Sequence, residues 1–227
     1  MPGRNIPLVT SQIYHIFNRG VASQPIFLNK RDYDCALETL FYYQNKITPV
    51  RFSIFRQFSI SKKKKILQDF RFKKELLCQI ITHCLMPNHF HLILEQKEGG
   101  GISKSLSDFT NSYTRYFNTK NKRAGTLLQG RFKAVRVETT EQLIHLSRYI
   151  HLNPYTSFIV KSLKDLYSYQ YSSLGEYLGT TKINFCNKKK VLDNFGSTAE
   201  YKKFVGDQAD YQRSLEEFKH LSLEEQL

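Results

Sequence analysis

Met86-Pro87-Asn88-His89-Phe90-His91-Leu92-Ile93-Leu94 is the stretch on which the reading of this chain turns. In an extended strand successive side chains point to opposite faces, so His89 and His91 share one face while Phe90, Leu92 and Leu94 share the other. One face then belongs to a core and the other to a site. Met86-Pro87-Asn88 is turn chemistry, which sets the histidines at the start of their strand beside a loop that a ligand can reach. Two imidazoles on one face with apolar anchoring behind suit a divalent metal. The same spacing also arises as two partly exposed polar residues opposite a buried face.

Upstream, residues 77–84 are nearly continuously apolar, with Ile80 and Ile81, and read as a central strand that hairpins into the histidine strand. Residues 12–20, rich in β-branched and aromatic side chains and closed by Gly20, read as a first strand in which His15 is structural. Tyr33, Leu37, Leu40 and Phe41 recur at helical spacing over about 29–44, with Asp32 and Asp34 near the N-terminus, where the helix dipole favours acids. Residues 47–75 read as an elaboration, a β-like run over 50–60 leading into the solvated loop Ser61-Lys62-Lys63-Lys64-Lys65.

Downstream of Gly99-Gly100-Gly101, the residues Ile102, Leu106, Phe109, Tyr113 and Phe117 give one long amphipathic helix. Arg115, Lys122 and Arg123 lie at its far end. After a glycine-bounded loop, residues 131–137 alternate as a strand and offer Arg131, Lys133 and Arg136 to phosphates. Thr139 and Gln142 fit a capping box opening a helix that should run to about Asn153, where Pro154 stops it. Leu143, Leu146 and Ile150 form its core stripe; Tyr149 and Asn153, four apart, share a flank. Residues 197–227 read as a helical tail.

The chain has 34 Lys and Arg against 20 Asp and Glu, a formal charge of +14, which favours a polyanion as partner. Nucleic acid leads, because an anionic membrane would be met by a basic amphipathic helix with a large apolar face, and none stands out. A mean hydropathy of −0.46 and the lack of a long apolar run predict a soluble protein without a membrane span. The N-terminus shows no secretory pattern, so the expected location is cytoplasmic. Cys35, Cys78, Cys84 and Cys186 show no CxxC spacing and read as reduced thiols.

Five segments together resemble one family: residues 14–20 (Tyr-His-Ile-Phe-Asn-Arg-Gly), 86–91 (Met-Pro-Asn-His-Phe-His), 125–133 (Gly-Thr-Leu-Leu-Gln-Gly-Arg-Phe-Lys), 148–154 (Arg-Tyr-Ile-His-Leu-Asn-Pro) and the closing Tyr171-Ser172-Ser173 with Glu176-Tyr177-Leu178-Gly179. The chain is similar to the IS200-like tyrosine transposases, and within them to the REP-associated type, which are HUH single-strand nucleases. Leu128 departs from the pattern, since relatives commonly carry Trp there; this reads as a change of packing or base stacking. The resemblance implies an α+β fold with a ferredoxin-like core, a central antiparallel sheet and packed helices, in a domain over residues 1–180; it does not cover residues 54–72 or the tail beyond Gly179, and residues 181–227 read by their own pattern as a helical C-terminal extension. It also implies roles. His89, His91 and Asn153 would bind Mg²⁺ or Mn²⁺, Tyr149 would be the nucleophile, and no nucleotide cofactor would be needed.

The implied activity is metal-dependent cleavage and strand transfer of single-stranded or hairpin DNA through a 5′-phosphotyrosine intermediate. Arg148 and His151 are candidates for lowering the pKa of the Tyr149 phenol. A homodimer in which the tyrosine helix is lent to a neighbour's histidines, and a monomer that completes its own site, both remain open. The rival readings are a domesticated protein that binds DNA hairpins without cutting them and a structural zinc site of Cys78, Cys84, His89 and His91. The full set His89, His91, Tyr149 and Asn153 favours the enzyme.

Overall fold

The protein is described here by a computed structural model covering residues 7–182 and 184–214. In chain order it runs β1 (Ile13–Arg19), α1 (Lys30–Tyr43), α2 (Phe52–Phe55), α3 (Ile60–Lys73), β2 (Cys78–Met86), β3 (His89–Gln96), α4 (Gly101–Lys120) and β4 (Lys133–Val137). It continues through α5 (Thr140–Thr156), α6 (Leu163–Tyr167), α7 (Leu174–Tyr177), α8 (Lys189–Leu192) and α9 (Thr198–Gly206). The strands form one sheet in the order β2-β3-β1-β4, with β1 antiparallel to β3 and Phe17 opposite His91. This is the α+β architecture expected, an antiparallel sheet with helices packed on it. Among the described residues, no helix is long and apolar enough to cross a membrane. All four cysteines are free and buried.

The chain divides into two compact units, one of residues 1–80 and 87–136, the other of residues 81–86 and 137–227. In the first, strand alternation sends Tyr14 and Ile16 of β1 and Phe90, Leu92 and Leu94 of β3 into the core. Helix α4 lies against this face, its Phe109 ring 5.6 Å from that of Phe90. Tyr113, a rival of Tyr149 on sequence grounds, is 1% exposed and donates its hydroxyl to the Ile26 carbonyl, a core role. Gly101 opens α4 where a Cβ would sit 2.0 Å from the Leu77 carbonyl oxygen, so no other residue fits there.

Asp32 is fully buried near the start of α1 and accepts bonds from the Leu28 amide, the Tyr116 hydroxyl and the Lys120 ammonium. Removing the carboxylate strands a partly buried cation as well as an amide, so Asp32→Ala should cost about 3–5 kcal/mol of unfolding free energy. Urea titration of the variant against the parent measures this; a loss below about 1 kcal/mol would show the triad to be dispensable.

Three local expectations need correction. The run over 50–60 is helical rather than β-like: Phe52 and Phe55 are one helical turn apart, and both rings pack on Tyr42. The lysine run lies inside α3, not in a loop, because lysine is a good helix former and the Ser59 hydroxyl caps the Lys62 amide. Helix α5 passes through Pro154 to Thr156. Pro154 removes one amide, but the final turn is held by bonds from the Ser157 amide and the Thr156 hydroxyl to the Asn153 carbonyl. The predicted capping box at its other end is present, with Gln142 N donating to Thr139 Oγ1 at 3.1 Å.

The second unit is built around α5. Ile150 and Leu152 are buried along it, with Leu166, Leu174, Val191, Tyr201, Val205 and Ala209 from the segments that follow. Residues 186–209 of the expected extension therefore supply part of this core. Of the expected tail over 197–227, residues 215–227 lie outside the described residues.

Candidate histidine site and tyrosine helix

His89 and His91 emerge on one face of β3, as alternation requires, with ring centroids 5.1 Å apart and planes nearly perpendicular. Each has its Nδ1 engaged. Asn88 Oδ1 lies 2.6 Å from His89 Nδ1, and His15 Nε2 lies 2.9 Å from His91 Nδ1. A carbonyl oxygen accepts only, so His89 donates from Nδ1 and carries its lone pair on Nε2. When His91 likewise donates to His15, it too presents its lone pair at Nε2. This is the usual way in which a partner beyond the ligand fixes the tautomer of a metal-binding imidazole.

The electrostatics agree with that state. Burial brings His89 down to about 4, helped by the Arg19 charge, and burial with the neighbouring His89, His15 and Arg19 brings His91 down to about 2. Burial lowers His15 to about 4. All three rings are therefore neutral near pH 7, the form that coordinates metal. Two neutral imidazoles of set tautomer fit a divalent cation.

His15 and Arg19 are site residues that the sequence reading missed or placed elsewhere. Both lie on the same face of β1 as Phe17, and Arg19 is the cross-strand partner of His89. The signal was present, since Tyr14, Ile16 and Asn18 alternate with His15, Phe17 and Arg19, but a strand read by itself does not reveal its register.

The basic residues fall into two groups. Lys133 Nζ lies 6.0 Å from the Phe17 ring, which in turn lies 5.8 Å from that of His91, so β4 brings a cation beside the histidine face. Arg131 is exposed just before β4, and Arg136 bonds Gln12 Oε1 at 2.8 Å. Arg115, Lys122 and Arg123 form the other group, around an open hollow of about 650 Å³ at the end of α4 with Asn118 and Thr119. Arg123 stacks on Phe117 and donates to the Thr126 carbonyl, which limits its reach.

Tyr149 and Asn153 belong to α5 in the second unit. Tyr149 is 42% exposed, high for so large a ring, whereas Asn153 is 5% exposed and donates from Nδ2 to the Tyr149 carbonyl at 3.0 Å. That bond orients the amide and assigns Oδ1 as its acceptor end. The two residues suggested as activators of the phenol are otherwise occupied. Arg148 stacks on Phe204 at 4.2 Å and bonds His145, while His151 is fully buried between the Tyr201 hydroxyl and Ser173 Oγ, both at 2.8 Å. The residues of the zinc alternative are not gathered: among the described residues, Cys78, Cys84, His89 and His91 form no metal-binding group, Cys78 lying beside Ser105 and Cys84 beside Ser172 and Met86.

Residues 46–153, which include both histidines, Tyr149 and Asn153, match the family model described as "Transposase IS200 like". Within those residues the chain carries the IS200-like transposase pattern. Among solved structures, a REP-associated tyrosine transposase bound to a REP hairpin is similar in fold, matching over 82% of this chain and 90% of that one with a TM-score of 0.54 and 13% identity. A candidate transposase from Deinococcus radiodurans R1 matches over 66% of this chain and 95% of that one at 14% identity, with a TM-score of 0.33. No curated protein sequence matches the chain. Leu128, where the IS200-like pattern expects Trp, is 8% exposed and bridges Gly20, so its role is packing.

Proposed function

We propose that this IS200-like protein cuts and rejoins single-stranded DNA at hairpin-bearing sites, with Tyr149 as nucleophile and a phosphotyrosine intermediate. The observation that carries the reading is the pair of neutral imidazoles on β3, each with its Nδ1 held by a neighbour and with cationic Arg19 and Lys133 alongside. His89, His91 and the amide oxygen of Asn153 would hold Mg²⁺ or Mn²⁺, which when bound neutralises charge building on a phosphate oxygen.

The rest is done by the chain's own groups. Lys133, Arg131 and Arg19 draw the DNA backbone to the histidine face and offset its charge. Tyr149 Oη gives up its proton to solvent, to which the side chain is open, and forms a bond to phosphorus; the bond from phosphorus to the 3′ oxygen breaks, and that oxygen leaves as a 3′-hydroxyl once protonated. The Asn153 bond to the Tyr149 carbonyl ties the turn bearing the nucleophile to the turn bearing the ligand. Because the phosphotyrosine keeps the energy of the broken bond, another 3′-hydroxyl can reverse the step and join a new strand. A hairpin as substrate is supported by the charge of +14 and by the hairpin carried by the structural neighbour.

The test is a denaturing gel of labelled single-stranded hairpins, taken from DNA flanking the gene, incubated with the protein and Mn²⁺ or EDTA. A metal-dependent covalent adduct is expected; tight binding with no adduct on any hairpin would instead make this a hairpin-binding protein that does not cut. Electrostatic capture gives a separate expectation. Lys133→Ala combined with Arg131→Ala should weaken hairpin binding across sequences and lower the slope of log affinity against log salt by about 1–2, read by fluorescence anisotropy. An unchanged slope would remove these residues from the DNA path.

A further inference from the structure

His83, Glu176 and Cys186 converge inside the second unit, although His83 and Cys186 stand 103 positions apart in the chain. Their exposures are 3%, 2% and 8%. One ligand atom from each lies within 4.8 Å of the others, with Cys186 Sγ 3.5 Å from His83 Nδ1 and 3.8 Å from Glu176 Oε1. We propose that these three residues form a structural zinc site, distinct from the histidine pair on β3, that fixes the platform beneath the tyrosine helix.

The spacing is that of a coordination shell. A tetrahedral zinc ion bound to sulfur at about 2.3 Å and to nitrogen or oxygen at about 2.0–2.2 Å holds those atoms roughly 3.5 Å apart. The two separations from sulfur, 3.5 and 3.8 Å, lie at or just above this value, and the third pair lies within 4.8 Å. Charge points the same way: a thiolate and a carboxylate offset a divalent cation, and imidazole supplies a third donor without adding charge, which leaves the fourth tetrahedral position to a water molecule. Glu176 Oε2 accepts from the Phe185 and Cys186 amides at 2.8 and 3.0 Å, and Oε1 accepts from the Cys186 thiol at 3.8 Å, so both oxygens are held in place toward the cluster. Lys188 lies nearby, but its ammonium bonds the Glu176 backbone carbonyl. A carboxylate buried in this way is costly without a cation.

Burial argues against a reactive thiol. It and the Glu176 charge push Cys186 well above its ordinary range, so without a metal the sulfur is a protonated, shielded group. Thiolate in the donor set selects zinc over Mg²⁺ and Mn²⁺. The site touches α5 through Ser173, whose hydroxyl donates to the His83 carbonyl at 3.2 Å and meets His151 Nε2 at 2.8 Å. An ion here would therefore brace residues 81–86, α7 and the segment before α8 against the helix carrying Tyr149.

The experiment is expression of the full chain in cobalt-supplemented medium followed by absorption spectroscopy, because only a cysteine ligand gives a thiolate-to-cobalt charge-transfer band in the near ultraviolet. The band is expected at about one cobalt per chain, retained in the His89→Ala/His91→Ala variant and reduced at least tenfold in Cys186→Ser and His83→Gln. Cobalt bound without that band, or a band that survives in Cys186→Ser, overturns the proposal. Folded wild-type protein that holds no cobalt or zinc after dialysis overturns it too, so the test stands even if the buried variants fail to fold.

Discussion

Tyr149→Phe should leave hairpin binding within about twofold of the parent and abolish the covalent adduct, a loss on the order of 10⁴-fold or more in cleavage. The change removes one oxygen from a ring that is 42% exposed and keeps the ring itself, so the expected cost in stability is no more than about 1 kcal/mol. His151, two positions on, is closed between Tyr201 and Ser173, and a water or hydroxide attack would release a free 5′-phosphate rather than a protein-linked strand. The measurement is the denaturing gel with the variant beside the parent. An adduct of undiminished yield in Tyr149→Phe would assign the nucleophile to another tyrosine. Tyr113 would be a poor candidate, since it is buried and its hydroxyl is committed to Ile26.

The second large effect is expected at the histidine pair. His89→Ala and His91→Ala should each reduce metal-dependent cleavage by about 10³-fold or more, because each removes an imidazole from the proposed coordination shell. His15→Gln serves as the graded comparison. His15 acts through His91, so its loss should raise the Mn²⁺ concentration for half-maximal cleavage about 10–100-fold with little change in the maximal rate. A structural role alone would not separate these two quantities. Cleavage by His91→Ala at the parental rate and metal requirement would remove the pair from the reaction.

Much of this was legible in the residues. Strand alternation through His89, Phe90 and His91 placed the imidazoles and the core on opposite faces, and the capping box at Thr139 and Gln142 fixed the start of the tyrosine helix. What failed was of two kinds. Aromatic residues at Phe52 and Phe55 were read by β-propensity when their spacing was helical and tertiary packing on Tyr42 decided the outcome. Contacts between distant segments were the other kind. His15 meets His91 only once the β1–β3 register is known, and nothing local joins His83 to Glu176 and Cys186. Long-range meetings of single side chains leave no period in the sequence.

The division of the chain inside β2 bears on the order in which the protein is made. Residues 81–86 leave the ribosome early, yet the unit they belong to takes its remaining residues from 137 onward. At about 5–20 residues per second, His83 waits roughly 5–20 s for Cys186, 103 positions later. The half of the molecule bearing the histidine face has its whole sequence by residue 136, whereas the half bearing Tyr149 cannot close its core until Ala209 has been made. A nascent chain interrupted before Cys186 would thus expose the surface proposed to draw in DNA while lacking a finished support for the residue proposed to cut, an ordering that places strand breakage after both units have been made.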